Sequence, residues 1–274
     1  MLLSAPAKLN LCLFVGPPRD DGLHEIRSLF EPISLADRID VTEAPADEVV
    51  CPEVGGENLA ARALAGLRER GWDHAPVRVE ISKRIPVAGG LGGGSADAAA
   101  VLRLAAGEVE GIEEAAAELG ADVPSQLRPA FSLVGGFGEQ VELPPPPGEH
   151  AIVLLPDSQG LSTADVYAEA DHIGLGRDVS QLEKLGQRLR DAVAAGASPL
   201  DYTQLLVNDL EPAALALRPG IGAALEALRG AGAARALISG SGPTAFGLFA
   251  DLASAEAAAS ELGPAAIVCT PGAP

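Results

Sequence analysis

Between residues 8 and 15 apolar and polar positions alternate: Leu9, Leu11, Leu13 and Val15 share one face, and Lys8, Asn10, Cys12 and Phe14 share the other. A period of two predicts a strand that sets Lys8 and Asn10 side by side. Taken alone, their face is an ordinary solvated one. Residues 33–41 carry enough β-branched side chains for a second strand, after a loop rich in Pro, Asp and Gly. Over residues 58–70, Leu59, Ala63, Leu64 and Leu67 recur at helical spacing, and Gly71 closes the segment. Val77, Val79 and Ile81 then alternate with Arg78, Glu80 and Ser82, which predicts a strand. It runs into a glycine-rich loop over 83–95 and an alanine-rich helix over 96–106.

Downstream, the same patterns predict helices over 113–119, 181–195, 221–228 and 254–262, and strands over 131–134, 139–143, 151–155, 236–239 and 245–249. Four consecutive prolines at 144–147 continue neither a helix nor a central strand, so they mark a boundary or a stiff connector. A chain of 274 residues is about where one core stops growing efficiently. Two domains are expected, 1–148 and 149–274.

Charge narrows the function. Nineteen basic against 38 acidic residues give −19; three residues are lysine (Lys8, Lys83, Lys184) and aromatics make up 3%. A nucleic-acid binder needs a basic stripe and stacking rings, and neither is present in bulk. An acidic chain can still bind an anionic small molecule through oriented backbone N–H groups or a well-placed cation. No apolar run reaches the roughly 18–20 residues of a membrane span, and the N-terminal segment is interrupted by Pro6, Lys8 and Asn10. A cytoplasmic protein without membrane partner is expected. Cys12, Cys51 and Cys269 are odd in number, far apart and without metal-ligand spacing, so reduced thiols, no disulfide framework and no cysteine-held metal are expected.

The loop over 88–94 carries the strongest chemical signal, with glycine at five of the six positions 89–94. Glycine lets successive N–H groups point into one concavity, and the following helix adds its positive N-terminus. That combination is a phosphate cradle. It lacks the Gly-Lys-Ser/Thr of a Walker loop and the later acidic residue of a dinucleotide fold. Ser95 is placed to cap the helix, and its hydroxyl is also placed for a phosphate or its Mg²⁺. Asp97, in the first turn, suits the helix dipole and is read as structural.

Six segments in order carry a family resemblance: Pro6-Ala7-Lys8-Leu9-Asn10-Leu11; Asp21-Gly22-Leu23-His24-Glu25; residues 86–95 with Asp97-Ala98-Ala99; Gly120-Ala121-Asp122-Val123-Pro124; Asn208-Asp209-Leu210-Glu211; and Ser239-Gly240-Ser241-Gly242. Together they resemble the GHMP kinases, most closely the 4-diphosphocytidyl-2-C-methyl-D-erythritol kinases, over nearly the whole chain. The resemblance implies an α+β, two-domain GHMP kinase-like fold, with a ribosomal-protein-S5-domain-2-like N-terminal domain and a ferredoxin-like C-terminal one. It implies transfer of the ATP γ-phosphoryl group, with Mg²⁺, to the 2-hydroxyl of a cytidine-diphosphate-linked small molecule, by a monomer or homodimer.

By the same resemblance, Asp122 is the catalytic base and Lys8 its partner. Asn58, Lys83, Pro86, Val87, Ala88, Gly89, Gly90, Leu91, Gly92, Gly93, Gly94, Ser95 and Ala96 form the ATP site. Asn10, His24, Thr163, Tyr167, Gly240, Ser241 and Gly242 form the acceptor site. Phosphoryl transfer asks for such a set, because it needs positioning, charge neutralisation and a carboxylate for the acceptor hydroxyl. Without that context, Asp122 between Ala121 and Val123-Pro124 reads as a turn aspartate or helix cap. The sequence departs from the family at Leu23, usually tyrosine, at Ser125-Gln126, usually an aromatic pair, at Ala96, usually serine, and at Pro243-Thr244. Two alternatives stay open: a sibling kinase with another acceptor such as homoserine, mevalonate or a sugar, and an inactive nucleotide-binding relative with a regulatory role.

Overall fold

In the computed structural model, which describes residues 1–19 and 22–273, the alternating segment belongs to a longer strand, β1 (Leu2–Pro18). Asp21, in the second motif, lies outside the described residues. β1 pairs antiparallel with β2 (His24–Glu43), setting Lys8 opposite Pro32 and Asn10 opposite Phe30. Register shifts between Pro6 and Lys8 and between Asn10 and Cys12 break the ladder around these two residues, and such bulges re-aim side chains. The solvated polar face expected for this strand is not found: Lys8 is 4% and Asn10 3% exposed. The glycine loop and a turn from the second half of the chain cover it.

The first half continues with β3 (Glu48–Val50), α1 (Leu59–Glu69), β4 (Val77–Ser82), α2 (Gly93–Leu102), α3 (Ile112–Leu119), α4 (Val123–Leu127), β5 (Ser132–Gly136) and β6 (Gln140–Glu142). Its six-stranded sheet runs β3-β4-β2-β5-β6, with β1 joined to β2. Ile39, Val79 and Ile81 of this sheet pack with Leu64 and Leu67 of α1 and Val101 of α2. Asn58 caps α1, its Oδ1 accepting from the Ala60 N–H at 2.8 Å. Every residue of α2 from Ala96 to Leu102 is buried, as a helix apolar nearly all round requires.

The helix expected over 96–106 is displaced. α2 begins at Gly93, with Gly92 (φ +68°) in the cap position, and gives way to a 3-10 turn at Arg103–Ala105. Ser95 therefore stands in the first turn and makes no cap. Glycine is a poor helix former, and tertiary contacts on both sides of the loop override that preference.

After the proline run come β7 (Ala151–Leu155), α5 (Thr163–His172), α6 (Val179–Val193), α7 (Glu211–Leu217), α8 (Gly220–Gly230), β8 (Arg235–Ile238), β9 (Ala245–Phe249), α9 (Leu252–Leu262) and β10 (Ile267–Cys269). The antiparallel sheet runs β10-β7-β9-β8, the fourth-first-third-second order of a ferredoxin-like unit. The molecule is thus a two-domain α+β fold. The two sheets share one core, in which Leu9, Leu11, Phe14 and Leu29 meet Ile152, Leu154, Leu237 and Phe246. Backbone bonds tie the halves as well: Leu13 N–H donates to Val207 and Asp209 N–H to Leu13, both at 2.8 Å. This docking holds the turn after β8 against the glycine loop.

Candidate active site

The loop before α2 is fastened on two sides. The Lys8 N–H donates to Leu91 O at 3.0 Å, and from the second domain Ser239 Oγ donates to Gly90 O at 2.9 Å and Thr244 N–H to Gly89 O at 3.3 Å. A Cβ at Gly90 would lie 2.3 Å from Ser239 O, and one at Gly92 would lie 3.0 Å from Lys8 Cε, both at positive φ. Close approach and conformation both demand glycine at Gly90, while at Gly92 the positive φ favours it and the lysine stem lies close above. The free N–H groups at the start of the ten-residue α2 are suited to phosphate oxygens.

Lys8 lies under this cradle. Its Nζ donates to Asn10 Oδ1 at 2.6 Å and sits 3.0 Å from Asp122 Oδ2, with the Phe30 ring centroid 4.4 Å away. Asp122 occupies the cap position of α4 but makes no side-chain cap bond, so its carboxylate is turned to Lys8 and to the cavity. Asn10 is held from two more sides: Nδ2 donates to Ser28 Oγ at 3.0 Å, and the backbone N–H donates to Ser239 Oγ at 3.2 Å. Its visible role is to hold Lys8.

Lys83 is differently placed. Its ammonium is clamped between Asp37 and Asp97, the latter at 2.8 Å, and Asp37 Oδ1 also accepts from the Arg84 and Ile85 N–H groups. Burial pushes the Asp97 carboxyl up to about 7, Asp37 adding to it and Lys83 opposing it. Burial pulls the Lys83 ammonium down, and its two carboxylate partners more than compensate. Asp97 Oδ1 is buried without a hydrogen-bond partner among the described residues. Lys83 therefore reaches the cradle with its charge already matched.

Beyond Asp122, His24 and Tyr167 set their rings 5.1 Å apart, tilted by 38°. His24 Nδ1 donates to Gly16 O at 2.9 Å, and Nε2 lies 3.4 Å from Asp171. Burial, reinforced by the Asp122 charge, raises the Tyr167 hydroxyl well above its usual range. Within the second domain, Thr163 and Ser241 share a hydroxyl–hydroxyl bond of 2.9 Å that ties the start of α5 to the turn after β8.

One cavity of about 850 Å³ gathers these parts. Lys8, Asn10, His24, Asn58, Lys83, the residues 86–95, Asp122, Thr163, Tyr167, Gly240 and Ser241 all line it. Ala96 and Gly242 do not. The Ala96 N–H is spent on Gly92 O at 2.8 Å and its side chain packs in the core, because α2 starts earlier than the sequence suggests. The Gly242 N–H closes the turn onto Ser239 O at 2.8 Å. Phe30 and Phe137 also wall the cavity, with no motif marking them, and Asn208 Nδ2 fastens the glycine turn through Ile238 O and Gly240 O at 2.9 and 2.7 Å. The Asn208-Asp209-Leu210-Glu211 motif is the one signal that pointed to Asn208.

A glycine cradle facing an ion-paired carboxylate, between two packed α+β domains, has the parts that a phosphotransferase needs, and the family models say which class of ATP-dependent phosphotransferase the fold belongs to. The N-terminal domain description of the GHMP kinases matches residues 58–129, and their C-terminal description matches residues 182–267. A 4-diphosphocytidyl-2-C-methyl-D-erythritol kinase of Anaeromyxobacter sp. (strain Fw109-5) is 41% identical over 260 residues, 89% of this chain and 81% of that one. A crystal structure of a 4-(cytidine 5'-diphospho)-2C-methyl-D-erythritol kinase superposes with a TM-score of 0.80 at 36% identity, covering 99% of both chains. A homoserine kinase from Cytophaga hutchinsonii shares the fold, with a TM-score of 0.69 at 19% identity over 99% of this chain and 93% of its own. The chain belongs to the GHMP kinase family and is related to its 4-diphosphocytidyl-2-C-methyl-D-erythritol kinases.

Proposed function

We propose that this chain transfers the γ-phosphoryl group of ATP to the 2-hydroxyl of 4-diphosphocytidyl-2-C-methyl-D-erythritol. The observation that carries the reading is the Lys8–Asp122 pair, 3.0 Å apart and opening onto the same cavity as the glycine cradle. Asp122 orients the acceptor hydroxyl and takes its proton. Lys8 pairs with that carboxylate and brings positive charge to the transferred group. The cradle and the start of α2 hold the phosphates, with Asn58 and Lys83 at the adenosine side. The His24 and Tyr167 rings receive the cytosine end, and Thr163, Gly240 and Ser241 close over the acceptor. The domains divide at 148/149, at the end of the proline run.

Among the described residues no group of three or more His, Cys, Asp or Glu is arranged to hold a cation by itself. Mg²⁺ fits this site as a companion of the triphosphate, held through phosphate oxygens, with the Ser95 hydroxyl nearby on the cavity wall. When bound, it neutralises phosphate charge.

A panel of acceptors with the purified protein, read as ADP release, tests the proposal. Turnover with the cytidine-diphosphate-linked acceptor is expected. The exposed aliphatic Leu23 in the cavity wall favours the second reading, a sibling acceptor. Turnover of homoserine, mevalonate or a sugar in its place would establish that reading. ATP binding without turnover of any acceptor would mark an inactive relative.

A further inference from the structure

Lys8 also forms part of the wall of a second, small cavity of about 10 Å³, together with Phe30, Ser125, Gln126 and Ser132. That is close to the smallest space that holds one water, roughly 10–15 Å³. Two polar atoms of the residues around it, Gln126 Oε1 and Ser132 Oγ, are buried without a hydrogen-bond partner among the described residues. Gln126 is 2% and Ser132 1% exposed. Buried polar atoms left unpaired are costly and therefore rare. The Lys8 ammonium has three donors, and two oxygen acceptors, Asn10 Oδ1 and Asp122 Oδ2, account for two of them.

We propose that Gln126 and Ser132 hold a single buried water against Lys8. The water accepts from the third Lys8 N–H and from the Ser132 hydroxyl, and it donates to Gln126 Oε1. All three otherwise incomplete groups are then satisfied by one molecule with three partners, a usual number for buried water.

The backbone of Gln126 is fixed independently. Its carbonyl accepts from Arg103 Nη1 at 2.8 Å, while Arg103 Nη2 donates to Ser4 O at 2.9 Å, four residues before Lys8 on β1. Gln126 also stands four residues after Asp122, one turn along α4. The short helix that presents the carboxylate thus also carries the acceptor that steadies the lysine. Gln126 is a positioning residue, acting on the reacting groups through the water and Lys8; this role in turnover rests on the reading of Lys8 and Asp122 as the catalytic pair.

The chain has three lysines, so ¹⁵N-lysine labelling gives a readable ammonium spectrum, in which Lys8 is identified by the signal lost in Lys8→Arg. Cross-relaxation between the Lys8 ammonium and a long-lived water is expected in the wild-type protein and is expected to disappear in Gln126→Met. With the acceptor found by the panel, Gln126→Met is expected to lower kcat about ten-fold, the scale of one lost hydrogen bond to a charged group, with KM for ATP unchanged. Ser132→Ala, a smaller change, should weaken the same water signal. The double variant should be no slower than Gln126→Met alone, since both act through one molecule. Absence of the water signal on Lys8 in the wild-type protein overturns the proposal, as does a folded Gln126→Met variant with wild-type Lys8 resonance and kcat. The resonance is read without turnover, so a protein that phosphorylates nothing in the panel defeats the kinase reading and leaves the water site separately decided.

Discussion

Asn10 accepts a hydrogen bond from Lys8 at 2.6 Å across two residues of one strand, and so fixes the ammonium that meets Asp122. The carboxylate makes no helix-cap bond and faces the cavity. Asp122→Asn keeps the shape and removes the base, so kcat is expected to fall by roughly 10²–10⁴-fold while ATP affinity changes little. Steady-state ADP release and calorimetric ATP titration measure the two effects, and a near wild-type kcat would exclude Asp122 as the base.

Gly90 has no room for a side chain, because a Cβ would sit 2.3 Å from Ser239 O. Gly90→Ala must push the loop away from the second domain. KM for ATP is expected to rise at least ten-fold, the factor that corresponds to about 1.4 kcal/mol. Gly55, whose Cβ would meet nothing within 4 Å, supplies the control, and Gly55→Ala is expected to leave KM unchanged.

Tyr167 is the larger ring of the His24–Tyr167 pair, at the end of the cavity proposed for the acceptor. Loss of one stacking face costs about 1–3 kcal/mol, so Tyr167→Ala is expected to raise the acceptor KM by roughly 5- to 100-fold and to spare KM for ATP. Tyr167→Phe keeps the ring and is expected to stay near wild type. A rise in KM for ATP instead would move Tyr167 to the nucleotide end.

Asp97, pushed up to about 7 by burial, with Asp37 adding to it, stays protonated in the folded chain over a pH range where the unfolded chain, with its value near 3.8, has lost the proton. The stability tied to this proton is fully present below about pH 3.8 and is lost as pH rises through about 7. Asp97→Asn cannot titrate. Its melting temperature is expected to gain on the wild type as pH rises toward about 7 and to run parallel above it. Thermal unfolding followed by circular dichroism across that range checks the slope, and parallel curves throughout would mean that Asp97 stays ionised.

Glu31 on β2 and His150 at the domain connection form a buried pair 2.9 Å apart, with His150 Nδ1 donating to Gly148 O at 2.9 Å. Burial raises the Glu31 carboxyl against the pull of His150, and Glu31 in turn lifts His150 despite its burial. His150→Ala strands a buried carboxyl and is expected to cost about 3–5 kcal/mol in urea unfolding. Glu31→Gln, which can still donate to Nε2, is expected to cost less. Equal losses would show that packing, and not the shared proton, holds this junction.

Much of the fold was legible because its signals are local. The helical spacing of Leu59, Ala63, Leu64 and Leu67, the alternation of Val77, Val79 and Ile81, and the proline run each depend on residues close in the chain. Elements such as α4 and α5 were not, because a five-residue helix containing Pro124 and a largely polar helix owe their form to what they pack against. The polar Ser125 and Gln126, which depart from the family's aromatic pair, border the small cavity beside Lys8.

The sequence by itself determined that anionic ligands meet no bulk attraction here, since the chain carries −19 and three lysines, and that a glycine cradle must supply the local one. It could not determine what each lysine does. Lys8 and Lys83 both stand in the site, yet Lys83 is matched by two aspartates from β2 and α2, while Lys8 meets the cavity through Asp122. Only the tertiary structure decided this, because ion pairing and burial depend on partners tens to more than a hundred residues away, which no periodicity in the chain records.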